Sequence, residues 1–432
     1  MWELIRANKR NSIVLMVLMA AVLLLLGYLI GSIVAAMMRP PDIGRGFERF
    51  EVREGPSVVY GGIWGMGIAG GVWVILTAVS LSRGDEILLA ASRAKRVTHD
   101  VHPQLFNVVE EMKIAAALPA MPKVYIIDDP APNAFATGRN PQRASVAVTA
   151  GLLGRMNRDE LQGVVAHEIS HIIHRDILYV TLAGVMLGTI VILSQLLVRG
   201  MFYGSLGSRR RYSGGGGGGQ GRAILMLIAI VAAILAPIMA QLLYFALSRR
   251  REYLADAGAA RLTRYPEGLA SALEKLANDR NPQLAAANKA TAPMYIVNPF
   301  KKAAGMKLSD LTSTHPPISE RVKILRNMSH GASFKDYSDS YTAVTRGKTV
   351  VPASALTEEK VGLRQASAEA VKEEKIQKQM RQVGDIMRRV NQFIFLTCVC
   401  GIKLKIPPNF KHSQVTCPRC KRTLDVPRKA SA

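Results

Sequence analysis

No cysteine occurs in the first 397 residues of this chain, which excludes a disulfide framework for everything but the C-terminal tail. Acids are scarce too: 32 Asp and Glu face 56 Lys and Arg, giving a formal net charge of +24. Aromatics make up only 6% of the chain, and the basic excess lacks the aromatic-basic pattern of nucleic-acid recognition. Over half of that excess lies in residues 321–432, which hold 22 Lys/Arg against 9 Asp/Glu. A basic tail beside an anionic cytoplasmic leaflet follows from membrane topology alone. Nucleic acid is therefore an unlikely partner. Only eight histidines occur among 432 residues, so any pair at ligand spacing carries weight.

What the chain has in quantity is apolar residues, 49% of the total, and they are gathered into runs. Residues 13–38 form an uncharged stretch long enough to cross a bilayer with some tilt. It is too long for a signal-peptide core and lacks a small-residue cleavage site, so it reads as an uncleaved anchor. Residues 57–81 form a second run, with Gly61/Gly65 and Gly67/Gly71 spaced to let another helix approach closely. Residues 177–198 and 223–246 are the third and fourth. Four spans predict an integral membrane protein, and membrane lipid is one expected partner. Arg6, Lys9 and Arg10 precede the first span and the segment from Arg83 to Arg175 is basic, which places both in the cytoplasm. The loop between the last two spans runs against that rule. It carries Arg199, Arg209, Arg210, Arg211 and Arg222 with no acid, around six consecutive glycines, 214–219.

Between these runs, residues 82–176 have the mixed patterning of an α+β region. Residues 102–117 read as an amphipathic helix with Leu105, Val108, Val109, Met112 and Ala116 on one stripe. Residues 123–127 and 144–149 are β-branched-rich and read as strands, separated by the turn formers Pro130, Pro132, Gly138, Asn140 and Pro141. Residues 264–330 look mixed-helical, and 331–365 show no strong period and read as a linker. From Ile376, the residues Met380, Val383, Met387, Val390 and Ile394 alternate steps of four and three. That seam is under three heptads, so packing on the protein's own body is preferred over self-association through 376–394. The expected organisation is a transmembrane hairpin (1–81), a catalytic domain containing the later spans (82–330), a linker with an amphipathic helix (331–396) and a tail module (397–432).

His167-Glu168-Ile169-Ser170-His171 is the chemical centre of the sequence. Two histidines four apart on a helix share one face and can grip the same ion. Glu168 then sits beside that ion as a base for water. Asn157 and Glu160 have capping-box spacing, and Leu161, Val164, Val165 and Ile169 recur at helical intervals, so the motif lies on a helix. A catalytic zinc commonly takes a third protein ligand. Glu252 fits, because it follows the fourth span and so returns to the face that holds His171. Asp256, one turn on, is placed to orient a ligand histidine. Spacing alone leaves a second reading open, in which Glu252 neutralises Arg249, Arg250 and Arg251.

The motif, followed by Ser248-Arg249 and then Glu252 and Asp256, resembles the peptidase family that contains the bacterial heat-shock protease HtpX and the CAAX prenyl-protein endopeptidases. The resemblance extends through Asn133-Ala134-Phe135-Ala136-Thr137-Gly138, Val146-Ala147-Val148-Thr149 with Gly151-Leu152-Leu153, and Ser313-Thr314-His315-Pro316-Pro317 with Arg321. It spans about residues 80 to 330 and is nearer to HtpX than to the larger CAAX enzymes. It implies a mainly α, α+β, zincin-like fold embedded in the membrane. Glu252 is implied as the third zinc ligand and Glu168 as the catalytic base. Asn133, Ala134 and Phe135 are implied to lie along a bound peptide, and His315 and Arg321 to hold substrate or the transition state. His174 stands where the family usually has asparagine, and reads as interfacial or as support behind the ligands.

The tail departs from that family. Cys398-x-Cys400 and Cys417-Pro418-Arg419-Cys420 resemble a zinc ribbon, a closed four-thiolate site that stabilises a module too small for a large core. Such a module is expected to recruit a partner or substrate. The leading reading is a zinc endopeptidase of the inner membrane, acting on membrane or misfolded proteins at the cytoplasmic face, with one catalytic and one structural zinc. The competing readings are a non-catalytic metal-binding peptide scaffold, a prenyl-protein endopeptidase and a tethered nucleic-acid binder.

Overall fold

The structure, a computed structural model, describes residues 2–38, 57–175, 182, 186–199, 219–278, 296, 316–346, 351, 356, 360–367, 376–410 and 412–427. His315, Ile376 and Met380 as side chains, and the arginine-rich loop, fall outside what is described.

Helices α1 (Trp2–Met38) and α2 (Val58–Ala91) pack as an antiparallel pair. Their contact is backbone on backbone. A Cβ added to Gly31 would stand 2.1 Å from the Gly61 carbonyl oxygen, and one on Gly65 2.2 Å from that of Gly27. The Gly61/Gly65 spacing is thus used as expected, whereas Gly67 and Gly71 meet nothing.

Among the described residues, two helices are long and apolar enough to cross a membrane, Met16–Ala36 and Val58–Ala91. The expected third and fourth spans are represented by shorter apolar stretches. These are α6 (Met186–Arg199) and Ile230–Ala240, within the 45-residue helix α7 (Gly219–Thr263). Met19, Leu23 and Leu26 of α1 cluster with Met186, Leu187 and Ile190 of α6 and Ala240 of α7. Around this bundle the outer side chains stay bare: Trp64 is 73% exposed and Ile68 66%. Contiguous apolar surface of this kind is costly in water and normal in lipid.

A four-stranded sheet follows, ordered β1 (Ala94–Arg96), β2 (Lys123–Ile127), β4 (Ala144–Thr149), β3 (Ala134–Gly138). Strand β2 runs parallel to β4, and β3 antiparallel to it with Phe135 opposite Ala147. One sheet face packs on α3 (Pro103–Ala115) and α5 (Arg158–Ile173) through Val124, Ile126, Val146 and Val148. On the other face, Phe135, Ala147 and Ile127 meet Leu89 near the end of α2, joining the sheet to the anchor. The short helix α4 (Ala150–Leu153) follows β4 directly, with Thr149 as its cap.

Helix α5 begins at the expected capping box, in which Asn157 Oδ1 accepts from the Glu160 amide and Glu160 accepts from that of Asn157. It packs against α7 and α8 (Pro266–Ala277), and α9 (Ile318–Arg326) closes the group.

The stretch read from sequence as a linker, 331–365, is in part ordered. Residues Phe334–Thr345 form α10, capped by reciprocal bonds between Ser333 and Asp336. Residues 360–367 cross the body as a strap: Arg364 bonds Asp159, Gln162 and the Thr263 carbonyl, and Ser367 also bonds Asp159. Helix α11 (Ile376–Val390) then places Val383 and Val390 in the main core, as expected for packing on the protein's own body. The tail holds two hairpins, β5 (Ile394–Thr397) with β6 (Lys403–Ile406) and β7 (Gln414–Thr416) with β8 (Thr423–Asp425).

Candidate metal centre and peptide cleft

The crossing of α5 and α7 positions the site. At Gly258 of α7, an added Cβ would stand 2.5 Å from Ser170 Oγ of α5, so the two backbones approach as closely as a glycine allows. That approach sets the carboxylates of α7 against the imidazoles of α5. His167 Nε2 lies 3.3 Å from His171 Nε2 and 3.6 Å from Glu252 Oε2, and His171 Nε2 is 3.5 Å from Glu252 Oε1. Ligands about 2.0–2.1 Å from a tetrahedral ion stand roughly 3.3–3.4 Å apart. The three donors fit a zinc ion, and they are two neutral-capable imidazoles and a carboxylate, a donor set zinc favours.

Behind them lies a buried charge relay of position. Asp256 Oδ1 stands 3.0 Å from His167 Nδ1. Arg321 grips Asp256 with two bonds, from Nε at 2.8 Å and Nη2 at 2.6 Å, and its Nη1 is 3.3 Å from Glu252 Oε2. Burial alone would raise the Asp256 carboxyl, but Arg321 outweighs it and holds the group below the usual carboxylate range. Burial also disfavours a charged His167, and Asp256 and Glu252 reverse that, raising it overall. Glu168, 2% exposed, is pushed up by burial, against the opposing influence of the two imidazoles and the Ala136 amide. The Arg321 guanidinium is fully buried and bonded to Asp256, the acid behind His167.

Strand β3 is the open edge of the sheet in topology, but its residues are all buried. Asn133 is occupied in building the strand: its amide donates to Thr149 Oγ1, and its Oδ1 accepts from the Ala134 amide. Phe135 points into the cluster against α2, and its backbone faces β4. The outward-facing backbone therefore belongs to Ala134 and Ala136. The Ala134 carbonyl accepts from the Ile296 amide at 3.0 Å, while the Ala136 amide reaches toward Glu168. Sequence reading named Asn133, Ala134 and Phe135 and missed Ala136; alternation along the strand would have found it. His174 is buried at the end of α5 beside Gly258.

In the tail, all four cysteine sulfurs lie within 4.8 Å of one another, with Cys398–Cys420 at 3.3 Å and Cys400–Cys417 at 3.6 Å. Those distances are too long for disulfides and near the roughly 3.8 Å edge of a tetrahedral zinc–thiolate site. Backbone amides of Cys420 and Arg419 help hold the Cys417 thiol down to about 6. The Cys400 amide pulls on Cys398 likewise, yet the neighbouring sulfurs and burial drive it up to about 11. Four crowded thiols cannot all ionise without a cation among them, and a divalent ion satisfies that demand.

Residues 100–329 match Peptidase family M48. A protease HtpX homolog of Dictyoglomus turgidum is 52% identical over 246 residues, covering 57% of this chain and 76% of that protein. The protease HtpX homolog of Dictyoglomus thermophilum is 44% identical over 327 residues, 76% of this chain and 94% of its own length. Ste24p of S. mikatae, a crystal structure, aligns with a TM-score of 0.37 and 19% identity, over 61% of this chain and 58% of that one. With a metal-ligand triad in place and relatives matched over most of their length, the chain belongs to peptidase family M48, the family of HtpX that its motifs resemble.

Proposed function

We propose that this chain is a membrane-anchored zinc endopeptidase that hydrolyses membrane or misfolded proteins at the cytoplasmic surface. One observation carries the reading: His167, His171 and Glu252 converge to ligand spacing with Glu168 beside them. Zinc bound there would polarise the scissile carbonyl and lower the pKa of its water to about 7. Glu168 is then the general base, taking the proton of the attacking water and passing it to the leaving amine. Asp256 orients His167, and Arg321 restrains Asp256 and Glu252, so both are positioning residues. An extended peptide pairs with the outward backbone of β3 at Ala136, and takes the place of the Ile296 amide on the Ala134 carbonyl, which gives affinity with little side-chain selectivity. His315 supplies the oxyanion donor that Arg321, held by Asp256, does not.

The same reading gives α1 and α2 as a spanning hairpin and the apolar parts of α6 and α7 as a third and fourth span. It assigns the four cysteines a second, structural zinc. The deciding experiment purifies wild type and Glu168→Gln in detergent and measures zinc content together with casein cleavage. The expected result is equal zinc and a loss of hydrolysis of roughly 10²–10⁴-fold in the variant. Comparable turnover by the two proteins would end the proposal.

A further inference from the structure

The tail carries one kind of charge. From Cys398 to Thr423 there is no Asp or Glu, and Lys403, Arg419, Lys421 and Arg422 are exposed with no carboxylate partner among the described residues. These cations sit at the cysteine end of the hairpins, where Arg419 reaches the Cys400 carbonyl across the cluster. In their midst, Val399 is 81% exposed, the most exposed large hydrophobic side chain among the described residues. It occupies the tip of the turn between Cys398 and Cys400.

The module is also held in a definite place. Helix α11 is rooted in the core by Val383 and Val390, and just beyond it Asn391 bonds Asp128 and Lys95. Lys95 lies four residues past the end of α2, on the first strand after the anchor. From Leu81, where the apolar run stops, to Ala91 the helix rises about 15 Å. The module is therefore rooted at the end of α2, about 15 Å along the helix from the level at which its apolar run stops.

We propose that the cysteine end of the tail docks on the anionic headgroups of the bilayer that holds α1 and α2, with Val399 entering the interface and the four cations around lipid phosphates. The chemistry favours lipid over the other polyanions. An apolar tip ringed by cations matches an interface that is apolar below and anionic above. A nucleic-acid surface would want an open aromatic for stacking. Two of the tail's aromatics are otherwise engaged: Phe410 meets the ring of His412 edge-on, and Arg389 covers Phe395. Docking would fix the height and orientation of the peptidase body above the membrane.

The inference rests on the membrane reading above, and its test separates the two. Full-length protein is placed in nanodiscs of phosphatidylcholine alone or with about 30% phosphatidylglycerol, and hydrogen exchange is followed across residues 397–426. Failure to enter discs of either composition would overturn the membrane reading itself. Given incorporation, exchange at 398–404 and 417–423 is expected to slow about tenfold in anionic discs. The protection should vanish in Arg419→Glu/Lys421→Glu/Arg422→Glu and weaken in Val399→Ser, with two zinc ions per chain retained as evidence that the module is folded. Equal exchange in both compositions overturns the proposal. Protection brought by polyglutamate or a single-stranded RNA in neutral discs, and not by anionic lipid, overturns it in favour of that partner.

Discussion

His167, His171 and Glu252 are carried by two long helices inside the main core, backed by Asp256 and a fully buried Arg321. Cys398, Cys400, Cys417 and Cys420 are carried by the turns of two hairpins, whose strands are three or four residues long with side chains mostly half or fully exposed. Both sets have metal-ligand spacing, yet only the first has a protein scaffold that would hold it there. The cleft is organised by packing and buried ion pairs. The tail module has little to hold it except its sulfurs, so the metal proposed there would be part of the fold.

The sharpest way to break this contrast is to remove one ligand from the weaker site. Cys417→Ser should unfold the tail, since a structural zinc supplies about 10–16 kcal/mol to such modules. Limited proteolysis should cut within 392–427 while casein hydrolysis in detergent persists. Equal loss of both would show that the two sites fold as one. Next in size is Asp256→Asn, which leaves the buried Arg321 with only its contact to Glu252. We expect about 3–5 kcal/mol of destabilisation by thermal melting and a 10–100-fold drop in zinc affinity at the cleft, the tail zinc being unaffected.

Gly258→Ala tests packing as the source of the cleft. With Ser170 Oγ only 2.5 Å from the new methyl, the variant should lose about 1–3 kcal/mol and weaken zinc binding without touching a ligand. The smallest effect belongs to the strap. Burial would raise the Asp159 carboxyl, but the Ser367 amide and Arg364 outweigh it and lower its pKa. A depressed carboxylate contributes stability that is complete above the unfolded value of about 3.9 and is lost as pH falls through the folded one. Arg364→Ala should therefore cost about 1 kcal/mol near neutrality, and melting curves of variant and wild type should converge below about pH 4.

The elements that carry the site were legible because their signals are local. The capping box at Asn157, the helical stripe of α5 and the strands at 123–127 and 144–149 each announce themselves within a few residues. Glu252 was different. It lies 81 positions beyond His171, and only the family resemblance chose it over the salt-bridge reading with its arginine neighbours. Arg321 too was found only by the resemblance, and its bond to Asp256, 65 positions away, has no trace in local sequence. Helix α10 and the strap were missed for opposite reasons. Ser333-x-x-Asp336 was a readable cap signal without a strong apolar period behind it. Arg364 bonds a carboxylate 205 positions away, a pairing with no trace in local sequence.

One helix joins the two environments of this molecule without a break. Glu252 lies twelve residues beyond Ala240 on α7, about 18 Å along a continuous rod. The rod's other end presents bare Ile234 and Leu235, with Pro237 as a natural point of flexure. A swing of about ten degrees at that proline, about 22 Å from Glu252, would carry the carboxylate some 4 Å, more than a coordination bond tolerates. If α7 spans the bilayer as proposed, the helix is a lever with lipid at one arm and the ligand carboxylate at the other, so membrane thickness would bear on the geometry of the triad.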